Sequence, residues 1–330
     1  MSCRKRWLVA IVIGIVTLSS RVGATDKPTY VRRLIPPIRG DSFRQPRSVV
    51  ADLHANEIFV CDTQNHRIAI FDKDGLFQHE LQGGGVFRAP IDLAVDPEGY
   101  LLVLGVHEGV NGLIALDFDG LLLGPIPLQG LPEGLDPPDL LSVALTPDGS
   151  RIFTVDKANH RLWIADRDGQ ILGGVDFTEG LTEDEIGNQI LAHVDVYQDT
   201  VLVAVPSDGL IHLFDHSGSR KGSVGFKGTA NCMTAFPVAA ALDADGTVVI
   251  LDKQRAMFMR WNPKSNRCLS EHIGFGNAPG AFYQPDDLAL DALGHAFVSQ
   301  GFEGRIQMYD GMVPAARVDA GPQPSDNTEP

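Results

Sequence analysis

The chain has 330 residues, 44% of them hydrophobic, 21% charged and 7% aromatic, with 35 glycines and 21 prolines. This is the composition of a folded, turn-rich protein, and it excludes intrinsic disorder and a multipass membrane topology. With 42 acidic against 27 basic side chains the formal charge is −15, and no basic run beyond the first residues gathers positive potential, which argues against nucleic acid as a partner.

In chain order, a basic head (Arg4, Lys5, Arg6) precedes an apolar run from Trp7 to Leu18 and the small-residue exit Val22-Gly23-Ala24. The pattern predicts a secretory signal peptide over residues 1–24, because the apolar run is short for a membrane span. Cleavage after Ala24 removes four basic residues and takes the charge from −15 to −19. The expected location is extracytoplasmic, periplasmic or secreted, with no stable membrane insertion after cleavage. Of the three cysteines that remain, Cys61 lies in an apolar strand and reads as a small buried hydrophobe. Cys232 and Cys268 sit in polar flanks of one repeat, where a disulfide and two free thiols are both open from sequence.

Beyond a predicted closing strand at Tyr30 to Ile35, one frame recurs six times. Its opening slot is Pro46, Pro90, Leu140, Leu191, Pro237 and Pro285. A short apolar strand follows each slot, as in Val49-Val50-Ala51-Asp52 and Leu288-Ala289-Leu290-Asp291. A second strand rich in β-branched and aromatic residues comes next, such as Ile58 to Cys61 and Ile152 to Val155. A third follows, such as Arg67 to Phe71 and Arg161 to Ala165. Asp74-Gly75, Asp148-Gly149 and similar pairs mark the hairpins between them. Three or four strands per unit, six units and no long amphipathic helix predict an all-β fold. It is a six-bladed β-propeller over residues 25–318, followed by a disordered tail at 319–330.

In the first unit, Asp62-Thr63-Gln64-Asn65-His66-Arg67-Ile68, preceded by Phe43 and Pro46, closely resembles the NHL repeat, and Asp156-Lys157-Ala158-Asn159-His160-Arg161-Leu162 repeats the string in the third. The resemblance spans all six units, roughly residues 30 to 318, but only these two carry the signature in full. It implies the propeller fold and leaves function open among protein-binding platforms, RNA-binding domains, extracellular sensor domains and a peptide-amidating lyase. The RNA-binding branch has a basic face, which this acidic chain lacks. The lyase places zinc-binding histidines directly after the opening slot of alternate repeats; here those positions hold Arg47, Ile91, Leu141, Ala192, Val238 and Asp286, so its activity is not carried over. Within the signature, Asp62, Asn65, His66, Arg67, Asp156, Asn159, His160 and Arg161 are read as structural, with each Asp pairing the Arg of its own hairpin.

Odd units carry an Asp closing the second strand (Asp62, Asp156, Asp252) and a basic residue at or near the start of the third (Arg67, Arg161, Arg255), which suggests three copies of a two-blade unit. The second position after each opening slot should ring one mouth of the central channel, and it reads Ser48, Asp92, Ser142, His193, Ala239 and Asp287. Two carboxylates and an imidazole, Asp92, His193 and Asp287, are the ligand types for zinc, manganese or calcium, and a metal with an open position could activate water. The competing reading is a polar, water-lined channel whose carboxylates bond backbone amides. No nucleophile-elbow, phosphate-loop or His-Glu-x-x-His motif is present. The acidic insertion Thr178 to Asn188 is either a solvated loop or a rim that selects a basic partner.

The reading is therefore a monomeric, exported propeller acting as a non-catalytic protein- or ligand-binding platform. Its expected partner is a protein or peptide of basic character, and it needs no cofactor. The alternative is a metal-dependent lyase or hydrolase of lactonase type with Asp92, His193 and Asp287 at the channel mouth.

Overall fold

The computed structural model describes residues 27–36 and 42–312; the expected signal peptide and C-terminal tail lie outside them. The described chain forms six four-stranded antiparallel sheets, each made of strands consecutive in sequence except the last. Blade 1 runs Pro46–Asp52, Glu57–Asp62, Arg67–Phe71 and Phe77–Gln82 from the axis outward. The innermost strands of blades 2 to 6 are Arg88–Val95, Leu140–Leu145, His193–Tyr197, Pro237–Leu242 and Asp287–Leu290. Blade 6 takes its fourth strand from the N-terminal end of the chain: Thr29–Arg33 pairs with Arg305–Asp310, Tyr30 lying opposite Tyr309. The closing strand thus falls where the sequence placed it, shifted by one or two residues.

Apolar clusters fill the spaces between successive blades all the way round. Phe59, Ile68 and Ile70 of blade 1 meet Leu93, Val103 and Ile114 of blade 2, and Phe71 of blade 1 meets Phe297 and Met308 of blade 6. Because the middle strands are covered on both faces, they read as nearly continuous apolar runs, such as Ile58 to Cys61 and Val248 to Leu251. The innermost strands alternate, and alternate side chains face the channel.

Antiparallel alternation puts two sets of connections on one face of the disc: those entering each innermost strand, and the hairpins between second and third strands. At two of these hairpins His66 and His160 adopt left-handed conformations, with φ of 55° and 49°. The acidic insertion enters this face too, and carries a helical turn, Glu183–Ile186, capped reciprocally by Thr182 and Glu185. Cys232 and Cys268 form a disulfide that ties the segment leading into blade 5 to that blade's outer strand. Cys61 is free and buried.

Candidate functional site at the channel mouth

The closing Asp of the second strand has one role in all three odd blades: it holds the segment that enters the blade. Asp62 accepts from the Arg44 amide at 2.7 Å, Asp156 from the Asp139 amide at 3.1 Å, and Asp252 from the Ala235 and Phe236 amides at 2.7 and 3.0 Å. All three are fully buried, so these bonds satisfy both the carboxylates and the incoming amides. In blade 1 the expected pair forms, with Arg67 Nε donating to Asp62 Oδ2 at 2.8 Å.

In blade 3 the expected pair does not form. Trp163 Nε1 donates to Asp156 Oδ2 at 3.0 Å, and Asn159 donates to the same oxygen at 2.7 Å, while Arg161 turns outward to Asp176. The indole of the third strand has taken the position that Arg67 fills in blade 1. In blade 5 the Arg255 guanidinium reaches Glu271 at 3.2 Å, while the Arg255 backbone amide donates to Asp252 at 2.9 Å. Strict three-fold repetition also fails at blade 6, where Gln300 accepts from the Tyr283 amide at 2.9 Å and from Arg305 at 3.0 Å, reproducing the odd-blade arrangement with an amide. His66 Nδ1 accepts from the Ala89 amide at 3.1 Å, and Asn65 donates to Asp62 at 2.7 Å.

The predicted ring does converge at the mouth on the hairpin face. There Ser48, Asp92, Ser142, His193 and Asp287, but not the fully buried Ala239, line a cavity of about 250 Å³ together with Arg47, Leu141, Ile190 and Lys253. Its side chains stitch neighbouring blades: Asp287 Oδ2 accepts from the Val49 amide at 3.0 Å, Asp92 Oδ2 from the Val143 amide at 2.9 Å, and Ser142 Oγ from the Val194 amide at 3.1 Å. These backbone N–H groups would otherwise be buried without partners. Asp92 also accepts from Ser48 at 2.6 Å, Ser142 at 2.8 Å and the Leu93 amide at 2.9 Å.

Four donors therefore occupy both oxygens of Asp92. Asp287 differs: its Oδ1 is buried, lies 3.2 Å from His193 Nε2 without an aligned N–H, and has no hydrogen-bond donor. Among the described residues, no group of three or more His, Cys, Asp or Glu side chains is arranged to hold a metal ion. At Asp92 the physical reason is that its lone pairs are already engaged by hydroxyls and amides.

Burial pushes Asp92 up to about 6, with the Asp287 carboxylate adding to the shift and His193 and Ser48 opposing it. Burial likewise pushes Asp287 up to about 6 against the Val49 and Leu288 amides. Burial lowers His193 against the pull of Asp92 and Asp195, which favours the neutral imidazole. One layer deeper the channel-facing positions are Val50, Ala94, Ala144, Asp195, Ala241 and Ala289. Asp195 is the one ionisable side chain of that layer, and burial raises it too.

A second hollow of about 380 Å³ lies between blades 3 and 4 and shares Leu141, Ile190 and Leu191 with the mouth. Sequence reasoning missed it, because a cleft between blades depends on the lengths of two loops far apart in the chain. The same face carries a row of partly exposed rings, Phe275, Tyr283 and Phe302, with centroids 6.0 and 5.5 Å apart.

The NHL repeat model matches residues 43–71, which span the entry to blade 1 and its first three strands. No curated protein matches the sequence. Among solved structures, a protein of unknown function from Bacteroides thetaiotaomicron VPI-5482 is similar over 87% of this chain and 73% of its own, at 13% identity and a TM-score of 0.59. Another of unknown function, from Bacteroides caccae, is similar over 71% of this chain and 78% of its own, at 17% identity and a TM-score of 0.50. These likenesses concern the fold.

Proposed function

We propose that this NHL-repeat six-bladed β-propeller is a non-catalytic binding platform that works outside the cytoplasm and engages a protein or peptide through its hairpin face. The observation that carries the reading is the pair of neighbouring hollows on that face, which share Leu141, Ile190 and Leu191 and include the charged residues Arg47, Lys253 and Lys157 in their lining. A closed ring holds the bordering loops in fixed relative positions, so little ordering entropy opposes binding. The exposed rings of Phe275 and Phe302 add apolar contact area to the same face. Export is supported by the N-terminal signal pattern and by the Cys232–Cys268 disulfide, which suits an oxidising compartment.

The test is capture from an extracytoplasmic extract, compared between the unsubstituted protein and two variants. Ile190→Asp alters the hairpin face, whereas Phe118→Ser alters an exposed residue in a turn of the opposite face. A specific partner lost with Ile190→Asp and kept with Phe118→Ser is the expected result. A partner lost equally with both, or with neither, would count against this face as the binding surface.

A further inference from the structure

The face of the disc opposite the hairpins is made by the turns that join first to second strands and third to fourth strands. On blades 6, 1 and 2 five such turns lie at residues 291–294, 53–56, 72–76, 96–100 and 117–121. Every one of them presents a large apolar side chain more than a third exposed: Leu293, Leu53, Leu76, Tyr100, and both Phe118 and Leu121. Exposure rises from 38% at Tyr100 to 70% at Phe118. The six corresponding turns of blades 3, 4 and 5, at residues 146–150, 167–170, 198–199, 215–219, 243–247 and 263–266, present none. Asp148-Gly149 and Asp168-Gly169 close turns there with the same chemistry as Asp74-Gly75 and Asp119-Gly120, so turn formation does not call for the apolar tips. Single exposed apolar side chains are ordinary, but their presence in every turn of one half of this face and in none of the other half marks a contact surface.

The five turns succeed one another around an arc. Gly75, in the outer turn of blade 1, lies against Met308 of blade 6, and Gly120, in the outer turn of blade 2, lies against Leu81 of blade 1. The same turns carry seven carboxylates and one lysine, Lys73, which Asp74 holds at 2.7 Å. Leading carboxylates are committed to their own turns, Asp72 and Asp117 each accepting from two backbone amides. The trailing ones, Asp74, Glu98 and Asp119, are exposed. Glu98 lies 3.5 Å from Arg167 of blade 3, whereas Asp119, next in sequence to Phe118, has no ion-pair partner among the described residues. An acidic surface repels a second copy of itself and an anionic lipid surface, and it attracts a basic chain.

We infer that the turn face of blades 6, 1 and 2 is a second docking surface, and that its occupant is a basic polypeptide segment with apolar side chains set between its lysines or arginines. The apolar side chains of that segment cover Phe118, Leu121 and Tyr100, and its cations meet Asp119, Glu98 and Asp74. Exposed ion pairs add little affinity by themselves, so the apolar tips hold the segment and the carboxylates select its charge and speed its approach. This surface lies across the disc from the hairpin face and does not depend on the binding reading given for that face.

The experiment measures fluorescence anisotropy of three labelled peptides of equal length with the full chain at pH 7.5. One peptide is built from Leu and Lys, one from Ser and Lys, and one from Leu and Glu. The Leu–Lys peptide is expected to bind roughly tenfold tighter than either of the others and to weaken as salt is added. The double variant Phe118→Ser, Leu121→Ser is expected to lose roughly tenfold in affinity for it, and Asp119→Asn to lower the salt dependence. Leu172→Ser, at an exposed position of an outer strand, and Ile190→Asp, on the hairpin face, are expected to leave binding unchanged, with every variant keeping the circular dichroism of the parent. Equal binding of the Ser–Lys peptide overturns the proposal, since charge alone would then explain the attraction. Affinity untouched by the double variant, or reduced as much by Leu172→Ser, also overturns it. A photocrosslinking phenylalanine analogue at position 118 is expected to form an adduct with the Leu–Lys peptide. An adduct confined to residues 1–24 of the same chain would make the occupant the chain's own basic head, and the inference would fail.

Discussion

Burial lifts Asp92 and Asp287 to about 6, so each holds a proton in the folded protein over a range where the unfolded chain, titrating near 3.9, has released it. Their contribution to stability is complete below the unfolded value and is lost as pH rises through about 6. A shift of about two units corresponds to roughly 3 kcal/mol for one group, and less per group when two neighbours titrate together. His193 acts in the opposite sense: its lowered pKa contributes stability above the unfolded value that is lost as pH falls. The profile of the unsubstituted chain mixes these effects, and the difference between it and Asp287→Asn isolates one carboxyl. Asp287→Asn is expected to raise the urea midpoint at pH 7.5 and to leave it nearly unchanged at pH 4. Equal effects at both pH values would show that ionisation of Asp287 is not what strains the mouth. The ring positions were legible in the sequence because the repeat fixes register and register fixes which side chains face the axis. That Asp92 is saturated by Ser48 and Ser142 of its two neighbours was not legible, since those contacts join residues about a blade apart.

At the level of the element, the recurring device is a buried acceptor closing the second strand and holding the next segment in. The sequence showed the acceptor and suggested the wrong partner for it in blade 3. An Asp-to-Arg spacing is visible along a hairpin, whereas Trp163 or an incoming amide becomes its neighbour only once the strands are paired. Asp62→Ala removes the acceptor for the Arg44 amide, Asn65 and Arg67 at once and is expected to destabilise the protein by about 3–5 kcal/mol, as expected when a buried charged partner is removed. Gln300→Ala removes a neutral acceptor and should cost about 1–3 kcal/mol. Similar urea midpoints for the two variants would show that the Arg67 charge adds nothing in blade 1. The disulfide closes a loop of 36 residues, and Cys232→Ser is expected to lower stability by about 3–4 kcal/mol under non-reducing conditions. Sequence left that bridge open because spacing carries no information on the Cα separation, which is 5.7 Å.

For the whole molecule, the question is what keeps six similar blades in a ring. Five of the six carry four strands consecutive in sequence, and the sixth is completed only when Thr29–Arg33 joins it from the other end of the chain. That strand supplies backbone partners along Gln307 to Asp310, and the amide of Leu34 extends the pairing to the Ile306 carbonyl at 3.0 Å. Leu34 is fully buried in the cluster between blades 6 and 1, with Phe43, Phe71, Ile306 and Met308, which is worth about 2 kcal/mol for this side chain. Deleting residues through Ile35 would leave an open, regular edge at Arg305–Asp310 and a gap in that cluster. Open edges of this kind pair with other chains. The deletion is therefore expected to lower the urea midpoint, broaden the transition and shift light-scattering mass above that of the parent, with the change in mass dependent on concentration. A deleted chain that keeps the parent's light-scattering mass and unfolds at the parent's midpoint would mean that apolar packing between blades 1 and 6 closes the ring unaided. In that case the rigidity that presents the hairpin face would belong to the six clusters between blades rather than to the strand that joins the two ends.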